Sequence, residues 1–154
     1  MASVQSYTIT LENNKSEKEA IDFLLKSNPE FICPDKDSRK KLLEIFKIDS
    51  KYSRAFDLIL IAGHTNLEEV IQLESLDNVI FVELKTTKKK LPNLPKGFFF
   101  GATQSEFEIA EQLGEKYQFC FVSLHPDSKN YVLLCLDELN KIIKTKRIQF
   151  QINL

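Results

Sequence analysis

The chain has 154 residues, of which 43% are hydrophobic and 28% charged, and its formal net charge is −1. This composition predicts one compact domain with a proper core, and it excludes the collagen-like, disordered and coiled-coil classes. The near-neutral charge also argues against a protein that coats nucleic acid with its whole surface.

The N-terminal part of the chain predicts a strand followed by two helices. Residues Tyr7–Leu11 alternate between apolar and polar side chains, which indicates a short strand. Apolar residues recur on one helical face over about Lys15–Lys26 and again over about Ser38–Lys47. Pro29 and Pro34 separate these two predicted helices, because proline cannot continue a helix.

The middle of the chain predicts a meander of strands. One strand begins near Ala55, a polar turn follows at about Gly63–Asn66, and a further strand covers about Glu69–Leu73. The β-branched run Asn78–Thr87 predicts the next strand. After a basic stretch, the short apolar segment Gly97–Gly101 predicts another strand or a strand end.

A helix is predicted directly after that segment. Thr103 and Glu106 have the T-x-x-E spacing of a capping box, and Gly114 is placed to end the helix. The remaining predicted elements are two strands joined by a turn, a short amphipathic helix, and an alternating terminal segment that suits a sheet edge or a partner's surface. These elements cover Gln118–Leu124, Tyr131–Leu136, Leu136–Ile143 and Arg147–Leu154.

The elements group into a single domain over residues 1–154. Residues 1–52 lead into the core, residues 53–136 form it, and residues 137–154 add the last helix and an edge strand. No apolar run is long enough to span a bilayer, and the chain begins without a secretory signal pattern, so we expect an intracellular, cytoplasmic protein that does not enter a membrane.

Cysteines and glycines give little evidence for a cofactor. Cys33, Cys120 and Cys135 are odd in number and widely separated, which favours reduced core thiols over a disulfide framework or a zinc site. The four glycines form neither of the common phosphate-binding loops, so binding of a nucleoside triphosphate is unsupported.

The most informative motif is Glu83-Leu84-Lys85, at the far end of the predicted strand Asn78–Thr87. Side chains two residues apart on a strand point to the same face, so this carboxylate and this ammonium are expected to project together. A chain with so many acids and lysines should contain two or three acid-x-lysine triplets by chance, and it contains three. The others, Asp49–Lys51 and Asp127–Lys129, lie in turn-like stretches and indicate solvated loop charges.

Asp57 on one strand, with Glu83 and Lys85 on another, resembles the PD-(D/E)xK nuclease superfamily. A closer resemblance is to the nuclease-like domain at the C-terminus of the plant protein NO VEIN and in bacterial restriction-associated proteins. The matching positions are Phe56–Asp57, the run Glu83–Thr87, Phe100, the T-x-x-E helix and Tyr117. The resemblance implies an α/β (α+β) fold with a restriction-endonuclease-like αβββαβ core, in which helices flank a central mixed sheet. The chain departs from the pattern where Phe56 replaces a proline.

The resemblance also implies a metal site. Asp57, Glu83 and the backbone carbonyl of Leu84 would bind Mg²⁺ or Mn²⁺, which prefer oxygen ligands. Lys85 would orient the attacking water or stabilise charge on the phosphate. Gln104 is a candidate for the polar helix residue beside such sites. Capping alone explains Thr103 and Glu106.

Two further assignments complete the predicted site. Glu44, on the second predicted helix, is a candidate for an additional acid, although a solvated helix face is the simpler explanation. Lys88, Lys89, Lys90 and Lys96 follow the proposed metal-binding strand and are candidates for phosphate contacts, with a solvated face as the alternative.

These assignments predict a divalent-metal-dependent DNA endonuclease acting in restriction, repair or defence against mobile elements. The alternative is a catalytically silent nuclease-fold module that binds nucleic acid or scaffolds a protein complex. A third interpretation is an interaction protein in which Glu83 and Lys85 form a surface ion pair. The sequence leaves open whether the chain acts as a homodimer or in a larger complex.

Overall fold

The computed structural model describes residues 3–63, 66–68, 71 and 77–154, with side chains described from residue 15 onward. Within these ranges, helices and strands alternate along the chain. Their bounds are α1 Ser3–Ser27, β1 Phe31–Ile32, α2 Lys36–Ile45, β2 Leu58–Ile61, β3 Val79–Thr87, α3 Gln104–Leu113, β4 Tyr117–Ser123, β5 Asn130–Cys135 and α4 Leu136–Ile142.

The five strands form one mixed sheet in the order β1-β2-β3-β4-β5. Neighbouring strands are antiparallel except for β3 and β4, which are parallel. Parallel neighbours need a crossover connection, and α3 lies within the connection from β3 to β4. The predicted α/β class, with helices flanking a mixed sheet, is confirmed at this level.

Each face of the sheet carries its own apolar core. One core joins the sheet to α2, α3 and α4, and it includes Leu42, Ile109 and Leu136. The other joins the opposite face to α1 through Ala20 and Leu24. Burying a large apolar side chain completely contributes about 1.5–3 kcal/mol, so these two layers fix the positions of the helices on the sheet.

Local sequence signals identified several elements correctly. The structure confirms helices over Lys15–Lys26 and near Ser38–Lys47, the two strands β4 and β5 with the turn between them, and the short helix α4. Thr103 is the N-cap of α3, where its side chain accepts a hydrogen bond from the Glu106 N–H, and Gly114 is the C-cap. These elements depend on short-range periodicity and capping, which sequence records directly.

Three predicted strands within the described residues are wrong, and two of these precede β4. Tyr7–Leu11 lies inside α1, because an alternation of only five residues does not exclude a helix that begins earlier and continues through it. Gly97–Gly101 forms neither a helix nor a strand. Gly97 adopts φ 85°, outside the strand region, and β4 already occupies the sheet position beside β3.

The predicted terminal strand Arg147–Leu154 is also wrong, because this described segment has no regular secondary structure. Alternation sets which residues share a face, but a strand also needs a neighbour for its backbone hydrogen bonds. The four apolar residues of the segment are largely exposed: Ile148, Phe150, Ile152 and Leu154.

The meander beside β3 has a different third strand from the predicted one. It consists of β1, β2 and β3, so Phe31–Ile32 joins the sheet from a position before α2. The predicted turn at Gly63–Asn66 and strand at Glu69–Leu73 fall largely outside the described residues. Cys120 and Cys135 are buried free thiols as expected, whereas Cys33 is an exposed one.

Candidate functional site

The site lies where β2 and β3 separate. The pairing of these strands ends at Leu58 opposite Val82, while β3 continues to Thr87. Asp57, the residue before β2, bridges the opening. Its N–H donates to the Val82 carbonyl at 2.8 Å, and its Oδ2 accepts from the Leu84 N–H at 2.8 Å. The Asp57 carboxylate is therefore held beside the Glu83–Lys85 segment.

Two side chains from distant elements hold the backbone before β2. The Arg39 guanidinium, from α2, donates to the carbonyls of Phe56 and Asp57 and lies 4.9 Å from the centre of the Phe56 ring. The buried Tyr117 hydroxyl, at the start of β4, donates to the Ala55 carbonyl at 2.5 Å. Three consecutive carbonyls are thus satisfied by side chains, and the approach of the chain to Asp57 is fixed.

Glu83 projects from β3 into a nearly closed environment. Its exposed fraction is 6%, and no described residue forms a hydrogen bond with its buried Oε2. The pKa of Glu83 is raised to about 10, mainly by burial and also by its hydrogen bond and charge interaction with Asp57 and by the charge of Glu106. Lys85 opposes the shift. Glu83 is therefore a neutral acid near pH 7, with an oxygen available to another ligand.

Lys85 is held by an ion pair with α3. Its Nζ lies 2.6 Å from Glu106 Oε1, and the side chains are 12% and 9% exposed. The second oxygen, Glu106 Oε2, accepts from the Thr103 hydroxyl at 2.8 Å. Glu106 thus combines helix capping with a direct contact to the site. Gln104, the residue predicted for this place, is exposed.

A further acid comes from α1, which sequence reasoning did not anticipate. Burial raises the pKa of Glu17, and the charge of Asp57 and a hydrogen bond with it raise that pKa further. Glu44, the predicted additional acid, is exposed on α2. The signal in the sequence is that Glu17 lies one turn before Ala20 and two turns before Leu24, on the helical face that packs against the sheet.

The basic stretch after β3 is anchored to the β4–β5 connection. The Ser123 hydroxyl donates to the Lys89 carbonyl at 3.2 Å, and the Leu91 N–H donates to the Ser128 hydroxyl at 3.0 Å. The four predicted phosphate-contacting lysines are all exposed: Lys88, Lys89, Lys90 and Lys96. Lys90 pairs with Asp127 at 3.5 Å. The backbone of this stretch is fixed while its ammonium groups face solvent.

The site offers a divalent cation some of the ligands that it needs. Within the described residues, no three histidine, cysteine or acidic side chains form a ready group of metal ligands. Asp57 and Glu83 supply two carboxyl groups in mutual contact, and the unpartnered Glu83 Oε2 is an oxygen of the type that Mg²⁺ and Mn²⁺ prefer. The donor set therefore fits a hard divalent cation.

Comparisons of the chain with protein-family models, curated proteins and solved structures found no match. In the described part of the chain, no helix is both long enough and apolar enough to cross a membrane. The interpretation of the site therefore depends on its geometry and chemistry.

Proposed function

We propose that this protein is a divalent-metal-dependent nuclease of PD-(D/E)xK type that hydrolyses phosphodiester bonds in DNA. The main support is the meeting of Asp57, Glu83 and Lys85 where β2 and β3 separate, with one Glu83 oxygen buried and unpartnered. The order α1-β1-β2-β3-α3-β4 supports it too, because it corresponds to an αβββαβ core with α2 between the first two strands. A role in restriction, repair or defence against mobile elements suits such an activity.

The proposed cation ligands are the carboxylates of Asp57 and Glu83 and the backbone carbonyl of Leu84. Mg²⁺ or Mn²⁺ bound there would neutralise charge on the phosphate and favour ionisation of a water molecule. Glu17 lies beside Asp57 and adds negative charge to the same place when it ionises. Because Glu83 holds a proton near neutral pH, it must release that proton to act as an anionic ligand.

Lys85 supplies the positive charge of the proposed site. Its ammonium is a compact point charge that can stabilise charge on a phosphate or orient a water molecule. Glu106 limits the positions available to that ammonium, since the two groups are 2.6 Å apart and mostly buried. Gln104 stays a candidate for contact with substrate at the exposed start of α3.

The second candidate function is a catalytically silent nuclease-fold module that binds nucleic acid or scaffolds a complex. One observation favours it: Lys85 is already engaged by Glu106, so the site can exist as a closed internal network. The exposed lysines after β3 would still be able to contact phosphates in such a module.

Cleavage assays with Glu83→Gln separate these functions. The substitution keeps the size of the side chain and its neutral state, so we expect the fold to persist while cleavage in Mg²⁺ or Mn²⁺ falls by at least about 100-fold. Asp127→Asn, in an exposed acid-x-lysine triplet, is the matched control and should cleave normally. Full cleavage in EDTA contradicts the proposal. DNA binding without cleavage by the unmodified protein supports the silent module.

A further inference from the structure

Of three consecutive phenylalanines before α3, the outer two are packed and the middle one is exposed. Phe98 and Phe100 each pack edge-on against Phe121 of β4, with ring centres 5.0 Å apart in both cases. Phe99 lies between them and is 94% exposed. The two packed neighbours hold the backbone on either side of Phe99, so its ring is displayed from a fixed point.

This fixed point lies next to the candidate site. Phe121, which anchors both neighbours, is the register partner of Lys85 in the parallel pairing of β3 and β4. Phe99 also precedes the N-cap Thr103 by four residues, a chain distance of at most about 14 Å. The Thr103 hydroxyl contacts the Glu106 carboxylate that holds Lys85.

Several lysines precede Phe99 in the chain. Lys88 and Lys89 come before it on the anchored stretch, and Lys96 precedes it by three residues; all three are exposed. A single exposed apolar side chain is ordinary on a protein surface. Proteins that bind single-stranded nucleic acid combine exposed aromatic rings, on which bases stack, with lysines and arginines that contact phosphates. An exposed ring at a fixed point and exposed lysines on an anchored stretch of the same chain provide both kinds of group.

We propose that Phe99 stacks against an unpaired base of a single-stranded nucleic acid whose backbone follows Lys88, Lys89 and Lys96. The proposal rests on the proposed function and narrows its substrate class to DNA with an unpaired region beside the site. Duplex bases are already stacked on each other, so the Phe99 ring contributes to binding only where a base is free.

Binding of a fluorescent thymidine oligonucleotide and of a duplex of equal length, both in EDTA to prevent cleavage, tests the stacking interaction. Phe99→Ala should weaken binding of the single strand by about 5- to 150-fold, the effect of losing one stacked base. Phe99→Trp should retain binding because it keeps a stacking surface. Phe150→Ala, which removes another exposed phenylalanine outside the site, is the matched control and should bind as the unmodified protein does.

Duplex binding and melting temperature complete the test. For Phe99→Ala we expect both to be unchanged, and we expect the slope of log affinity against log salt to be unchanged, because every cationic side chain is retained. Equal losses for single strand and duplex, or no loss for the single strand, overturn the stacking proposal alone. If the unmodified protein binds neither nucleic acid in EDTA, the stacking proposal is overturned, and if it also cleaves neither of them in Mg²⁺ or Mn²⁺, the proposed function is overturned with it.

Discussion

Two acid-x-lysine triplets of this chain, Glu83–Lys85 and Asp127–Lys129, occupy opposite environments. Glu83 is 6% exposed and its pKa is raised to about 10, mainly by burial. Asp127 lies in a short turn, its side chain is 65% exposed, and it pairs with Lys90 at 3.5 Å. Identical spacing therefore produces a buried, interacting group in one place and a solvated surface charge in the other.

The difference follows from the surroundings of each triplet. At the surface, water and salt screen charges, so an exposed ion pair contributes little. Between β3 and α3, the lower polarity strengthens every interaction among Asp57, Glu83, Lys85 and Glu106. The chemical properties of a short charged motif therefore depend on how deeply the fold buries it.

Replacing the lysine of each triplet by alanine should give the largest difference in stability between the two triplets. Lys85→Ala leaves Glu106 buried without its cation, so we expect the free energy of unfolding to fall by about 3–5 kcal/mol. Lys129→Ala, which removes the interaction of this lysine with the Phe23 ring, should cost less than about 1 kcal/mol. Urea denaturation measures both values. A decrease below about 1 kcal/mol for Lys85→Ala would contradict the buried ion pair, and Glu106→Gln combined with Lys85→Ala should recover part of the stability.

The pH dependence of stability tests the protonated state of Glu83. The pKa of this group rises from 4.5 to about 10 on folding, so between these values the native state holds a proton that the unfolded state has released. Stability of the metal-free protein should therefore fall as pH rises through this window, by up to about 1.4 kcal/mol per pH unit. Glu83→Gln should remove this contribution, and Asp127→Asn should leave it unchanged. Parallel curves for Glu83→Gln and the unmodified protein would show that Glu83 is ionised when folded.

Arg39→Lys tests how precisely Asp57 must be positioned. A lysine cannot donate to the carbonyls of Phe56 and Asp57 with two fixed N–H groups, as the guanidinium does. We expect Mn²⁺ affinity, measured by calorimetry, to fall by about 10- to 100-fold, the usual cost of removing a group that orients a ligand. Lys40→Ala, at the neighbouring exposed position on α2, is the control. Unchanged Mn²⁺ affinity in Arg39→Lys would mean that Tyr117 alone is sufficient to position Asp57.

The smallest effect on stability is expected for the exposed lysines. Replacing Lys88, Lys89, Lys90 and Lys96 by glutamine should weaken DNA binding and reduce the slope of log affinity against log salt by about 0.9 for each duplex phosphate that is no longer neutralised. The melting temperature should barely change, because the ion pair of Lys90 with Asp127 is solvent-exposed. An unchanged slope would identify the cluster as a solvated face.

The sequence by itself determined the local elements and three residues of the candidate site. Periodicity identified α2, β4 and β5, and the T-x-x-E spacing located the start of α3, because these signals act within a few residues. The apolar run before Glu83 and Lys85 showed which of the three triplets lies on a strand. Asp57 was identified as the lone acid of the strand predicted from Ala55, although β2 begins one residue after it. The same local rules failed at Tyr7–Leu11 and Arg147–Leu154, where alternation occurs without a neighbouring strand.

Only the tertiary structure decided which groups surround those three residues. Glu17 reaches Asp57 from α1, Glu106 reaches Lys85 from α3, and Arg39 and Tyr117 hold the backbone before β2. Each of these interactions joins residues that are distant in sequence. These interactions depend on how the helices pack on the two faces of the sheet and on where β2 and β3 separate. The periodicity of a single segment encodes neither of these features.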